Sequence, residues 1–201
     1  MAMAVEVIVD TKAFHRLEIE LKKIPKEMPV AMASALNRTL DYTATQTSRI
    51  VSEEYVISKK DVKSTLKKKK ASKSSLDAYI TSKGRTLTLY HHFKVNPRYR
   101  GKKKYQIKVQ VKRAGGKQPL SGDPKPFLPK AGAPKSKQQV FQRVGPERKP
   151  LVVLRSLSVP QMISNEGNLE KIQKLANDKL EERLAHEIKW RLEKAAAKGR
   201  V

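Results

Sequence analysis

Between Leu169 and Leu192 apolar residues recur every three or four positions: Leu169, Ile172, Ala176, Leu180, Leu184, Ile188 and Leu192. At the helical period they fall on one stripe, with charged residues around the rest of the circumference. Asn168 is positioned to cap such a helix and Gly199 to end it, while Glu170 with Lys174 and Glu187 with Arg191 form supporting i,i+4 pairs. A helix of roughly 30 residues within 167–199 would run about 45 Å. A stripe of that length must pack on a sheet or on a neighbouring subunit, and it drifts too far for a coiled coil.

The rest of the chain alternates helical and strand patterns. Val5, Val7 and Val9 alternate with Glu6 and Ile8 as in a strand, and Asp10 or Thr11 can cap a following helix whose Phe14, Leu17, Leu21 and Ile24 precede Pro25. A second, long helix is expected to start between Pro25 and Pro29. Its stripe is Val30, Ala33, Leu36 or Asn37, Leu40, Ala44 and Thr47 to Val51, where small residues suit close packing. Ser58 with Asp61 resembles a capping box opening a short helix through Val62 and Leu66, which the Lys67 to Lys70 run ends. Twofold alternation follows at Leu76, Ala78 and Ile80, at Leu87 and Leu89, and at Tyr105, Ile107, Val109 and Val111, predicting antiparallel strands of one sheet.

Residues 113–137 hold five prolines, with glycines at 115, 116, 122 and 132, and show no periodicity. Proline lacks a backbone donor and glycine adds chain entropy, so a long loop or arm is expected here, of the kind a neighbour orders. Its inter-subunit contacts would come from Pro119, Pro124, Pro126, Phe127, Leu128 and Pro129. Val140 to Val144 and Leu151 to Leu154 read as two further strands around a Gly145-Pro146 turn. The expected fold is α+β, one domain over 1–201, with an antiparallel sheet flanked by helices, a long C-terminal helix and an extended Pro/Gly-rich arm.

Composition limits what such a chain does. A hydrophobic content of 38% supports a modest core, and with only 5% aromatics and 31% charged residues some segments are expected to order fully in an assembly. There is no cysteine, hence no disulfide framework or thiolate metal site. The first ten residues lack the basic and apolar regions of a secretory signal, and no window approaches about 18 consecutive apolar residues, so no membrane span is expected.

Charge is concentrated. Residues 59–143 hold 25 basic and 3 acidic side chains, supplying +22 of a net +25. So dense a field of one sign calls for a polyanion or an acidic protein surface nearby. Lys67, Lys68, Lys69 and Lys70, then Arg98, Arg100, Lys102, Lys103 and Lys104, with Tyr99 and Tyr105 interleaved, could contact a phosphate backbone without reading bases; equally, they could neutralise an acidic neighbour or form a solvated face.

Catalytic patterns are wanting. His91 and His92 could be joined to Asp77 or Asp123 in a metal site, but adjacent residues of a strand point to opposite faces. His15 and His186 sit among helical charges as solvent-facing residues. No nucleophile elbow, phosphate-binding glycine loop or zinc-protease motif occurs, and carboxylates are scarce outside the helices. Neither enzymatic activity nor a cofactor is expected.

The stretch ALNRTLDYTATQTSRIVSEEYVISKKDVKSTLKKKKASKSSLDAYI at 35–80 resembles the N-terminal signature of the phage minor tail protein Z family. Gly84, Arg85, Leu87 and Leu89, the basic 98–104 segment, Gly145 and LRSLSVPQM at 154–162 follow in the family's order, so the resemblance spans roughly 35–165. At Leu157-Ser158-Val159-Pro160 the chain departs from the glycine or tyrosine that members often carry. The resemblance implies a structural virion protein made in the bacterial cytoplasm, completing the head-proximal end of the tail. Its implied partners are other tail and head-tail connector proteins, with a homo-oligomeric ring, a hexamer favoured, around the DNA channel. The rival expectation is a general nucleic-acid-binding protein of ribosomal or chromatin type, which would bind free DNA or RNA as a salt-sensitive monomer.

Overall fold

The computed structural model describes residues 3–8, 27–101, 105–134 and 137–197, with backbone only for 3–8. In chain order the elements are β1 (Met3–Ile8), α1 (Met28–Glu54), α2 (Lys59–Thr65), β2 (Leu66–Lys69), β3 (Tyr79–Gly84), α3 (Leu89–His92), β4 (Lys94–Asn96), β5 (Lys108–Gln110), β6 (Gln118–Pro119), β7 (Phe141–Arg143), β8 (Leu151–Val153), α4 (Val159–Ile163) and α5 (Glu166–Ala196). The fold is α+β, as its periodicities predict. The helix expected over 11–24 and the stop at Gly199 lie outside the described residues.

The long C-terminal stripe finds its partner in another helix of its own chain. α1 and α5 run antiparallel, and four contacts mark the register from one end to the other. Arg191 Nη1 pairs with Glu27. Ser34 Oγ donates to Glu187 at 2.7 Å, Lys179 sits 5.2 Å from the centre of the Tyr42 ring, and Asn165 Nδ2 donates to the Tyr55 hydroxyl at 3.2 Å. Ala31, Ala33, Ala35 and Ala44 bring the backbones close, and Leu36 and Leu40 pack in one buried cluster with Leu180, Leu184 and Ile188. Each large aliphatic side chain buried there contributes about 1.5–3 kcal/mol.

Pro29 stands in the first turn of α1, as expected, since that position needs no amide donor. Ser58 caps α2 by accepting from the Asp61 amide at 3.0 Å. The lysine run, however, does not close α2. The helix ends at Thr65, and from Leu66 the backbone is extended and forms β2, an edge strand beside β3. At α5 the cap is Asn165 rather than Asn168; Asn168 lies inside the helix, buried, and donates to the Met162 carbonyl at 2.9 Å. Glu187 and Arg191 do pair, at 3.4 Å.

The strands do not form one sheet. They divide into β1-β3-β2, β4-β5-β6 and the hairpin β7-β8, all antiparallel. The cause lies at 87–93. Leu87 and Leu89 alternate as a strand would, but Leu89 opens the single helical turn α3, and burying Leu89, Tyr90 and Phe93 together redirects the chain between the sheets. Leu76 likewise precedes β3 instead of belonging to it. The hairpin around Gly145-Pro146 forms as expected, on slightly shorter strands.

The C-terminal end of α1 enters a second cluster, where Val51, Tyr55 and Ile57 meet Val95 and Val109 of the β4-β5-β6 sheet and Val159, Met162 and Ile163 of α4. The described part of segment 113–137 is irregular apart from β6, yet its middle is bound to its own chain. Leu128 is 1% exposed in that cluster, Phe127 exchanges backbone hydrogen bonds with Phe141 at 2.8 and 3.0 Å, and the two rings stack at 5.9 Å. Pro119 is exposed, while Pro124, Pro126 and Pro129 are half-buried. Gly116, at φ 61°, and Gly132, at φ 82°, supply backbone turns closed to most side chains.

Candidate interaction surface

The predicted basic residues that are described lie in two places, along β2 and in the loop that follows β4. Lys67, Lys68 and Lys69 lie along β2, with Lys70 following, and all four are exposed. Strand geometry alternates their roles. Lys68 and Lys70 reach Asp41 of α1, Lys70 at 3.6 Å. The hydrogen bond from Lys68 holds the Asp41 carboxyl below the usual carboxylate range; burial opposes it, and the charges of Lys68 and Lys70 add to the lowering. Lys69 lies 5.1 Å from the Tyr79 ring centre. Lys67 and Lys69 have no carboxylate partner among the described residues, so they are the lysines of the run that keep their charge for something else.

In the loop after β4, Arg98 is committed to its own chain. Its guanidinium stacks 5.0 Å from the Tyr90 ring centre and donates to the Tyr90 carbonyl at 3.0 Å. Burial, with the Tyr99 hydroxyl adding to it, pushes the Tyr90 phenol up. The Arg100 amide donates to Pro129 at 2.9 Å, and the Leu128 amide to the Tyr105 hydroxyl at 3.3 Å, so segment 113–137 seats the basic loop. The Arg100 side chain is exposed. Lys102, Lys103 and Lys104 lie outside the described residues.

The β4-β5 ladder adds two cations that charge runs alone do not single out. Val95 and Val109 pair across the ladder and face the core, so Lys94, Asn96 and Lys108 emerge on the opposite face, where Asn96 stands opposite Lys108 and Lys94 opposite Gln110. The signal was the alternation Lys-Val-Asn against Lys-Val-Gln. Beyond the ladder, Lys112 approaches Glu54 at 3.0 Å. Burial pushes that carboxyl up, but hydrogen bonds from Lys112 and Asn168 outweigh it and hold Glu54 below its usual range.

The histidines are not strand residues. His91 and His92 sit in the α3 turn, and His92 Nδ1 approaches Asp61, not Asp77 or Asp123, at 3.5 Å. Among the described residues no group of three or more histidines and carboxylates is placed to hold a metal ion. His186 is exposed on α5.

The surface is therefore one of cations without carboxylate partners among the described residues, Lys67 and Lys69 of β2 and Lys94 and Lys108 of the β4-β5 ladder, carried by a scaffold whose paired helices are nearly charge-balanced: Met28–Glu54 has two basic and three acidic residues, Glu166–Ala196 seven of each. Against known proteins, the model of the family described as prophage minor tail protein Z (GPZ) matches residues 17–198. The chain belongs to the prophage minor tail protein Z family. No curated protein and no solved structure matches it. The family match reaches past the 35–165 stretch legible from motifs and takes in α5, so the α1-α5 pair belongs to the minor tail protein as much as the basic β elements do. A structural role in a phage tail follows from that membership, and among the described residues no helix of this minor tail protein is long and apolar enough to cross a membrane.

Proposed function

We propose that this minor tail protein completes the head-proximal end of the tail as a ring, a hexamer favoured, next to the terminator and head-tail connector, with no turnover. Its basic β elements face the DNA channel or an acidic ring, and segment 113–137 presents Pro119 and its neighbours to an adjoining subunit. One observation carries this reading: the two long helices are nearly charge-balanced, and part of the net positive charge stands on sheet faces, where Lys67, Lys69, Lys94 and Lys108 are exposed and unpaired with carboxylates among the described residues. Such a surface binds a phosphate backbone through charge and carries no means of reading bases.

The test combines assembly and binding. Light scattering of the purified protein at moderate salt, with and without duplex DNA, is expected to give a discrete oligomer. Labelled protein in intact particles is expected at the head end of the tail. A monomer that binds free DNA with a steep salt slope would instead favour a general nucleic-acid-binding protein, and label at the distal tip would refute the placement.

A further inference from the structure

We infer that copies of this chain join head to tail by β-pairing, the outer edge of β8 in one copy receiving the outer edge of β1 from the next; this deepens the ring reading above and rests on it.

The β7-β8 hairpin carries three of the five exposed large apolar residues found among the described residues, Val144 at 62%, Leu151 at 42% and Val152 at 44%. Val144 N bonds Pro150 O and Leu154 N bonds Val140 O across the hairpin, and Phe141 turns its own backbone groups away to Phe127. In an antiparallel ladder these bonds alternate, so the N–H and C=O of Leu151 and Val153 point to the outer edge of β8. No backbone partner meets them there among the described residues. An apolar edge left open in this way is a template for another strand.

The other edges of the chain are blunted. β2 is Leu-Lys-Lys-Lys, β6 contains Pro119, which has no N–H, and β4 starts at Lys94 and runs into Pro97. Phe127 covers β7, and residues 87–89 cover the continuation of β8 at 154–157. Among the described residues what remains is β1, at the end of the order β1-β3-β2, with the sequence Met-Ala-Val-Glu-Val-Ile: apolar, with Glu6 as its one charge. The β7-β8 turn, 143–150, bears Arg143, Arg148 and Lys149 against Glu147. Two apolar edges of opposite charge on one chain make a heterologous contact, and such a contact, repeated with a rotation that closes, builds a ring. An isologous pairing, β1 with β1 or β8 with β8, would oppose like charges.

The chain has no cysteine, so single thiols can be introduced without background. Ala4→Cys and Val152→Cys are made separately, mixed, and treated with a short bismaleimide. Cross-linked heterodimers are expected in several-fold excess over either homodimer. Arg148→Glu with Lys149→Glu should lower the heterodimer yield several-fold, and Glu6→Lys in the mixed partner should restore it. Homodimers in excess, or no cross-link while light scattering still reports an oligomer, overturn the contact and leave the ring standing. A wild-type protein that stays monomeric at every concentration overturns the ring and this contact with it.

Discussion

Ser34 and Glu187 are 153 residues apart in sequence and 2.7 Å apart in space, the serine hydroxyl donating to a carboxylate that is 4% exposed. Arg191 closes the same arrangement by pairing with Glu187 and Glu27, and Arg38 Nε approaches Glu187 at 3.8 Å. The start of α1 is thereby held against the end of α5 by the buried Glu187–Arg191 pair, with the half-exposed Glu27 and Arg38 at its rim.

Removing Glu187 should therefore do more harm than a surface charge deletion. Glu187→Ala leaves Ser34 and one side of the Arg191 guanidinium facing a buried void while Glu27 still holds the other side, and a loss of about 1–3 kcal/mol in folding stability is expected, read by urea denaturation. Replacing Glu187 and Arg191 together by Leu and Met should cost less than the single change. Equal losses would show that the pair acts by packing alone.

The cap of α4 is a second local determinant. Ser158 accepts from the Gln161 amide, and Gln161 Oε1 accepts in return from the Ser158 amide at 2.8 Å, a reciprocal box opening a helix of five residues. Ser158→Ala should lower stability by about 1 kcal/mol, with Ser158→Thr nearly neutral, as measured by thermal unfolding.

Asp41 makes the β2 attachment pH-dependent. Its carboxyl is held low by Lys68 and Lys70, so its contribution is present above the ordinary carboxylate range and is lost as pH falls through the lower value of the folded state. Because the group is half exposed, screening keeps the gain under about 1 kcal/mol. The stability gap between wild type and Asp41→Asn should stay constant from pH 7 down to about pH 5 and close on further acidification. A gap that persisted at acid pH would assign the effect to the introduced amide and not to the lost charge.

The exposed cations should act through charge alone. Lys94→Glu with Lys108→Glu is expected to weaken duplex DNA retention equally for unrelated sequences and to reduce the salt slope by about one to two, with folding unchanged. Loss confined to one sequence would contradict a backbone-only contact.

Much of this architecture was legible one element at a time. The helical stripe at 169–192, the proline at the start of α1, the Ser58 cap and the Gly145-Pro146 hairpin are set by interactions within a few residues, so spacing and residue type determine them. The motifs at 35–80 and 154–162 placed the chain among minor tail proteins for the same reason. Partners were not legible. That α5 lies on α1, that the strands split into three sheets at the α3 turn, and that Leu128 of the proline-rich segment enters the core all depend on side chains distant in sequence competing for the same buried space. Of the candidate surface, the sequence by itself determined where the cations are concentrated. Only the tertiary structure decided which remain available, because Asp41 engages Lys68 and Lys70 across 27 residues or more while burial of Val95 and Val109 turns Lys94 and Lys108 outward.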